Sequence, residues 1–393
     1  FLAYVQNLAL TISNFLELRV NNIYNFLKRR YVEEYDEYLA GYYKSQYLFY
    51  KTKSVFGVLS HLLKYCYIIY VLAVSIAKKL SFGTFKALYD YVEVAHASIT
   101  DIFNSLSLVS TNLGYIDKFF DLIEFKGFGD IYHGEKKLSK GTPKLELKNL
   151  SFAYPDEPET KVLENINIVV EPGEKVALIG GDGSGKSTAV KILTGLYGVE
   201  QGEYLLNGIP TKELNRGELK KKLSIIFQDF INYHFSLREN IVISGQRKRV
   251  NNELYDTVIK TAGVNKFKKV VHVDDDSILG KTFPSGKELS PAYWQRLAIA
   301  RMLYRNKSIF IMDEPFTYID NKSAEEILDN IFKYLGKEKS LIYLTRNISL
   351  LNKFDRIYYF KGGKIVEFGS WDELIKMKGM FYKEFLQQSS NEE

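Results

Sequence analysis

Between Lys175 and Thr194 the chain assembles the residue types that a polyphosphate needs. An apolar run, Val176-Ala177-Leu178-Ile179, leads into Gly180-Gly181-Asp182-Gly183-Ser184-Gly185-Lys186-Ser187-Thr188, and Ala189-Val190-Lys191-Ile192-Leu193 continues with helical character. This is the phosphate-binding pattern G-x-x-x-x-G-K-[ST] in a strand-loop-helix setting. A triphosphate requires several convergent donors. Glycines let backbone N–H groups approach it closely, and the N-terminus of the following helix caps the anion. Every residue from Gly180 to Thr188 is a candidate contact, with Lys186 expected at the β- and γ-phosphates and the Ser187 hydroxyl at a Mg²⁺ ion.

A second constellation lies downstream. Ile309-Phe310-Ile311-Met312 reads as a strand that delivers Asp313 and Glu314 side by side at its C-terminal end, before Pro315. Open parallel sheets bind ligands at that end of their strands. Asp313 suits the Mg²⁺ shell, directly or through water. Glu314, pointing the other way, suits a general base that polarises an attacking water.

The elements that must hold these groups follow from the surrounding pattern. From residue 144 the chain alternates strand-like runs (145–152, 166–170, 176–179, 223–227, 309–312 and 341–344) with helical stretches, and closes on a hairpin, 357–360 with 365–368, turned at Gly362-Gly363. That predicts an α/β nucleotide-binding domain over 144–393. Residues 126–143, with Gly127, Gly129, Gly134, Gly141, Lys136, Lys137, Lys140 and Pro143, have no apolar period and read as a linker.

Residues 1–125 are different. Up to residue 54 the reading is long helix, with Tyr31, Tyr35, Tyr38, Tyr42 and Phe49 on one stripe. Val55 to Ala77 is apolar around its circumference and long enough to span a bilayer; Lys64 and His61 count against that, because a charge inside a membrane is costly unless it faces a cavity or snorkels. After a break at 80–84, Leu88, Val92, Ala95, Ile99, Ile102, Leu106 and Val109 repeat at heptad spacing opposite Lys86, Asp90, Glu93, Asp101 and Asn104. A soluble coiled coil and a cavity-lining membrane helix both fit that division.

The whole chain sets outer bounds. Its 393 residues suffice for two domains, and a formal net charge of +6 is too small and dispersed to argue for nucleic acid. The aromatic content of 15% is compatible with membrane proximity, and the single Cys66 fits a reducing compartment or a membrane interior. The chain starts at Phe1 and is expected to be part of something longer.

Together these motifs resemble the ATPase domain of ATP-binding cassette (ABC) transporters over residues 145–388. Phe152-Ala153-Tyr154-Pro155 is similar to the A-loop, which implies that Tyr154 stacks on adenine; Phe227-Gln228-Asp229 is similar to the Q-loop, which implies Gln228 near Mg²⁺. Glu288-Leu289-Ser290, followed by Trp294-Gln295-Arg296, stands in the place of the signature motif; Tyr318-Ile319-Asp320 stands in that of the D-loop and Leu344-Thr345-Arg346 in that of the switch-histidine segment. The resemblance implies ATP and Mg²⁺ as ligands, and contacts from Ser290 and Asp320 across a pair of ATPase domains. It makes residues 1–125 the last part of an exporter-type transmembrane domain, with a coupling helix near Tyr4 to Leu16 and the fifth and sixth spans; four earlier spans would be missing. Trp294 and the general texture resemble exporters of bacteriocin or lantibiotic-type peptides.

Two departures bear on activity. The family's Leu-Ser-Gly-Gly-Gln reads Leu289-Ser290-Pro291-Ala292-Tyr293, and Pro291 has no N–H to offer a phosphate, although proline suits the first turn of a helix. Arg346 replaces the histidine; it can reach a phosphate but cannot exchange a proton near neutral pH. The expectation is a membrane-embedded, multi-pass half-transporter in the plasma membrane with a cytoplasmic ATPase domain. It pairs with a second, different half, contacts lipid and exports an unknown substrate. The alternatives are an impaired regulatory subunit that binds ATP without turnover, and a soluble ABC-type ATPase with a coiled-coil arm.

Overall fold

The computed structural model describes residues 4–6, 23–124, 134–215, 217–245, 250–283 and 285–391. The chain divides into two compact units, 1–125 and 126–393. Of the expected coupling helix only residues 4–6 are described, and residues 126–133 of the expected linker lie outside the described residues.

The first unit is a helical pair, α1 (Tyr24–Ala77) and α2 (Phe82–Glu124). The segments read separately as 1–54 and 55–77 are one helix from Tyr24 onward, since no proline interrupts them. Among the described residues one stretch, Lys53–Ala77 with a mean hydropathy of 1.7, is long and apolar enough to cross a membrane. The residues that counted against it are turned toward α2. Lys64 Nζ lies 2.7 Å from Glu93, Ser60 Oγ 2.9 Å from His96 Nε2, and the His61 and His96 rings sit 5.2 Å apart. Two of the acids on the polar face opposite the heptad positions are paired. Glu93 is the partner of Lys64, and Asp90 bonds Lys86 one turn back. The tyrosines of α1 stack on one another, with centroids 5.9 Å apart for Tyr31 and Tyr35, 6.5 Å for Tyr35 and Tyr38 and 6.3 Å for Tyr38 and Tyr42.

The second unit carries ten strands and nine further α-helices among the described residues. In chain order they are β1 (Leu145–Ala153), β2 (Lys161–Val170), β3 (Lys175–Ile179), α3 (Lys186–Leu193), β4 (Gln201–Leu206), β5 (Ile209–Pro210), α4 (Glu218–Lys222), β6 (Leu223–Ile226), α5 (Leu237–Val242), α6 (Asn252–Thr261), α7 (Val264–Val270), α8 (Pro291–Tyr304), β7 (Ile309–Asp313), α9 (Asn321–Leu335), β8 (Ser340–Thr345), β9 (Arg356–Lys361), β10 (Lys364–Gly369), α10 (Trp371–Met377) and α11 (Met380–Asn391). A six-stranded sheet in the order β10-β9-β3-β8-β7-β6 is parallel except for β10, which pairs antiparallel with β9. An antiparallel sheet runs β2-β1-β4-β5.

The parallel strands of the central sheet are buried on both faces, which is why they read as apolar runs, while the edge strand β10 is largely exposed. Alternation sends successive residues to different cores. Ala177, Ile179, Phe310, Met312, Leu341 and Tyr343 join the core that contains α8 and α9. Val176, Leu178, Ile309, Ile311, Ile342 and Leu344 join the core shared with α3 and the antiparallel sheet. Burying one such Ile or Leu contributes about 1.5–3 kcal/mol, so the register of these strands, and of the residues just past their ends, is firmly set. The hairpin β4-β5 was not foreseen. Its signal was Asn207-Gly208, both at positive φ (+50° and +75°), a pair that favours tight hairpin turns.

Candidate functional site

The loop after β3 is pressed against neighbouring backbone. Gly180 has φ +153°, and a Cβ there would come 2.2 Å from the Phe360 carbonyl oxygen; Gly185 has φ +100°, and a Cβ there would meet Leu163 Cδ2 at 2.6 Å. Only glycine fits either place. Gly185 is also the N-cap of α3 and supplies no side-chain cap, so the first N–H groups of that helix stay available to an anion. Lys186 is buried beneath them. Its Nζ donates to the carbonyls of Gly180 and Gly181, the latter at 3.0 Å, and to Ser184 Oγ at 3.2 Å. Burial pulls its pKa down, and the Glu314 carboxylate acts in the opposite sense.

Asp313 ends β7 with its side chain buried. Burial, then the charge of Glu314, push its carboxyl up to about 6 against the pull of Lys186. A buried carboxyl whose ionisation is opposed in this way is one whose charged form a divalent cation would favour. Ser187, exposed in the first turn of α3, supplies a hydroxyl of the type Mg²⁺ accepts. Among the described residues no group of three or more His, Cys, Asp or Glu side chains is arranged for a metal. Mg²⁺ does not require one, because it keeps waters and takes phosphate oxygens alongside one or two protein ligands. The donor set therefore fits the ion.

Glu314 adopts φ +46°, a left-handed conformation that costs a non-glycine residue about 1–2 kcal/mol. Its backbone is held on both sides. The N–H donates to the Leu344 carbonyl at 3.0 Å, while its own carbonyl accepts from Gln295 Nε2 at 3.3 Å and Thr317 Oγ1 at 3.0 Å. The carboxylate is gripped by Arg346, whose Nε lies 2.8 Å from Oε1 and whose Nη2 donates to Oε2 at 2.9 Å. Arg346 Nη1 donates to both oxygens of Asp182, at 2.7 and 2.8 Å. The two carboxylates raise the guanidinium's pKa, Glu314 most. Gln388 of α11 donates to the Arg346 carbonyl at 2.8 Å and ties its backbone to the last helix.

Tyr154 flanks α3. Its hydroxyl lies 2.9 Å from Thr188 Oγ1, Lys191 Nζ sits 5.2 Å above its ring, and the Phe152 and Tyr197 rings meet it edge-on at 5.3 and 5.4 Å. The fold thus gathers the loop from Gly180 to Thr188, Asp313, Glu314 and Arg346 at one end of the parallel strands, with Tyr154 beside α3. Three expected site residues stand apart. Gln228 is exposed beyond β6, Ser290 caps α8 and Asp320 caps α9 through Ser323 N at 2.9 Å. Among the described residues none of the three hydrogen-bonds to the cluster.

The altered signature segment still starts a helix. Ser290 Oγ accepts from Tyr293 N at 3.4 Å, Pro291 occupies the first turn, and the Tyr293 ring stacks on Phe267 at 4.5 Å. Sequence reasoning missed Gln295, a buried amide that bonds both the Glu314 carbonyl and Tyr318 N, the latter at 2.9 Å. A lone glutamine inside the run Trp294 to Ala300 was its signal. It also missed the side chain of Asp182 as a partner for Arg346, and Asp229, whose charge adds to the upward push on Asp313.

A phosphate cradle, a helix N-terminus and paired carboxylates at strand ends define a P-loop nucleotide-binding ATPase domain. A family profile described as "ABC transporter" matches residues 163–317, inside the second unit. The subtilin transport ATP-binding protein SpaT of Bacillus subtilis is 33% identical over 277 residues, 70% of this chain and 44% of that protein. The nisin transport ATP-binding protein NisT of Lactococcus lactis subsp. lactis is 28% identical over 384 residues, 94% of this chain and 62% of that protein. A solved structure, that of a bacterial Atm1-family ABC exporter with ATP bound, shares the fold with a TM-score of 0.82 at 21% identity, over 96% of this chain and 64% of that one. The chain therefore spans less than two thirds of the length of each of these three proteins.

Proposed function

We propose that this chain is the ATP-binding and membrane-embedded part of an ABC exporter subunit, which couples ATP binding and hydrolysis to the export of a peptide. The observation that carries the reading is the convergence of the Lys186 cradle with Asp313 and Glu314 at one strand edge. Lys186, the amides of Gly181 to Thr188 and the α3 N-terminus bind the phosphates; Tyr154 offers its ring to the base. Asp313 and Ser187 would hold Mg²⁺, which would supply positive charge to the phosphates; Gln228, exposed beyond β6, would have to approach from outside the cluster to join them. Glu314 orients the attacking water and accepts its proton at a carboxylate oxygen. Arg346 positions Glu314. A peptide cargo is supported by the similarity to the subtilin and nisin transport proteins. Lys53–Ala77, its Lys64 paired with Glu93, supports a position in the membrane, with the ATPase domain on the cytoplasmic side.

The other half of the pair is a different subunit. Support comes from the signature segment, where Pro291 lacks an N–H and Ser290 already takes the Tyr293 amide. Ser290 and Asp320 then face a partner's nucleotide at a slow site, while the partner's signature completes the site at Lys186. Purified chain in detergent should capture ATP with Mg²⁺ present and sediment with membranes before extraction; failure of either would sink the reading. Glu314→Gln should keep capture and lower turnover at least a hundredfold when the partner is co-expressed. A purified homodimer with full ATPase activity would rule out the unequal pair.

A further inference from the structure

We propose that Asp182 is a built-in counter-anion that competes with the terminal phosphate of a nucleotide for Arg346, so that this loop carboxylate sets the preference of the site for triphosphate over diphosphate. The inference rests on the reading of the Lys186 loop as an ATP site. Three strand ends meet in the bridge: the loop after β3 through Asp182, the end of β7 through Glu314 and the end of β8 through Arg346. Arg346 is fully engaged there. Nε and Nη2 cover both oxygens of Glu314, and Nη1 covers both oxygens of Asp182. A guanidinium whose fork is spent on two carboxylates has few donors left for a phosphate.

The two carboxylates differ in what they rest on. Glu314 has 14% of its side chain exposed and its backbone is fixed by Leu344, Gln295 and Thr317, so it has little freedom to leave. Asp182 has 82% exposed and rides on a loop of glycines. It is the member a phosphate would displace. An exposed aspartate–arginine pair contributes about 1 kcal/mol or less, so a doubly charged terminal phosphate is able to outcompete it. A diphosphate, which places no charge beyond the β position, meets the bridge still closed.

The test is a set of dissociation constants for Mg-ATP and Mg-ADP, measured on the full chain in detergent by displacement of a fluorescent nucleotide. Asp182→Asn keeps the loop's shape and removes the charge; it should strengthen ATP binding about three- to tenfold and leave ADP within twofold. In an Arg346→Gln background the same change should give no ATP-specific gain, since the competition has lost its object. Asp182→Ser, a second neutral residue, should repeat the Asp182→Asn result and exclude a loop effect peculiar to asparagine. Equal shifts for ATP and ADP, no shift, weaker ATP binding, or an ATP-specific gain that survives Arg346→Gln would each overturn the proposal. If the unaltered chain captures neither nucleotide, the ATP-site reading itself falls, a result distinct from all of these.

Discussion

Two helix N-termini in the ATPase unit follow loops that resemble phosphate-binding motifs, and they are built in opposite ways. α3 begins behind Gly185 with no side-chain cap, so its leading N–H groups are left to a ligand. α8 begins behind Ser290, whose hydroxyl takes the Tyr293 amide, and with Pro291, which has no amide to give. Around α3 the charges converge: Lys186, Asp313, Glu314, Asp182 and Arg346 act on one another. Around the start of α8 the neighbour of Tyr293 is an aromatic ring, Phe267. One terminus keeps its donors for an anion and gives up local stability; the other spends them on its own helix. The same motif family has been tuned toward binding at one end and toward folding at the other.

The contrast can be broken by substitution. The largest effect is expected from Lys186→Ala, which removes a charged donor from the cradle and should weaken nucleotide capture at least about a hundredfold, because hydrogen bonds to charged groups are worth about 1.5–3 kcal/mol each. A fluorescent-nucleotide titration reads it; a loss below tenfold would mean the α3 end is no more committed to anions than the α8 end. Next comes Asp313→Asn. The folded carboxyl titrates at about 6 and an unfolded one near 4, so the folded state binds the proton more tightly. Below about pH 4 both states are protonated and the group's contribution is complete. It is lost as pH rises through 6. Removing the carboxyl should therefore raise stability by on the order of 1–3 kcal/mol at pH 8 and by almost nothing at pH 4, with the benefit of Mg²⁺ for nucleotide capture reduced. Melting curves at the two pH values check the sign; a gain confined to pH 4 would refute the assignment.

The smallest effect sharpens the other side. Ser290→Ala removes the cap of α8 and should cost about 1 kcal/mol, or roughly 2–4 °C in Tm, while nucleotide capture at Lys186 stays within twofold. If capture fell with stability, the two termini would not be independent.

The Lys186 loop and the Asp313–Glu314 pair were legible because their chemistry is local. A strand, a turn of glycines and a helix are consecutive in the chain, and a carboxylate pair at the end of an apolar strand has one place to go. The Asp182–Arg346 contact was not legible, since it joins residues 164 positions apart and depends on β3 and β8 being neighbours in the sheet. Sheet order is a tertiary property that no run of residues displays. The same holds for Lys64 and Glu93: Lys64 counted against a spanning helix, and only the pairing of α1 with α2 turned that objection into one half of an ion pair. The antiparallel hairpin β4-β5 is a different kind of miss, because Asn207-Gly208 announced it locally and the flanking strands were short enough to pass as loop.

The amide of Gln295 reaches out of the second turn of α8 to the carbonyl of Glu314 with one end and to the amide of Tyr318 with the other. A pull on that helix is thus delivered to the backbone on which the Glu314 carboxylate stands. Whatever grasps the outer end of α8 has a mechanical handle on the placement of that carboxylate, and Gln295→Leu would cut the cord while leaving every charged group where it is.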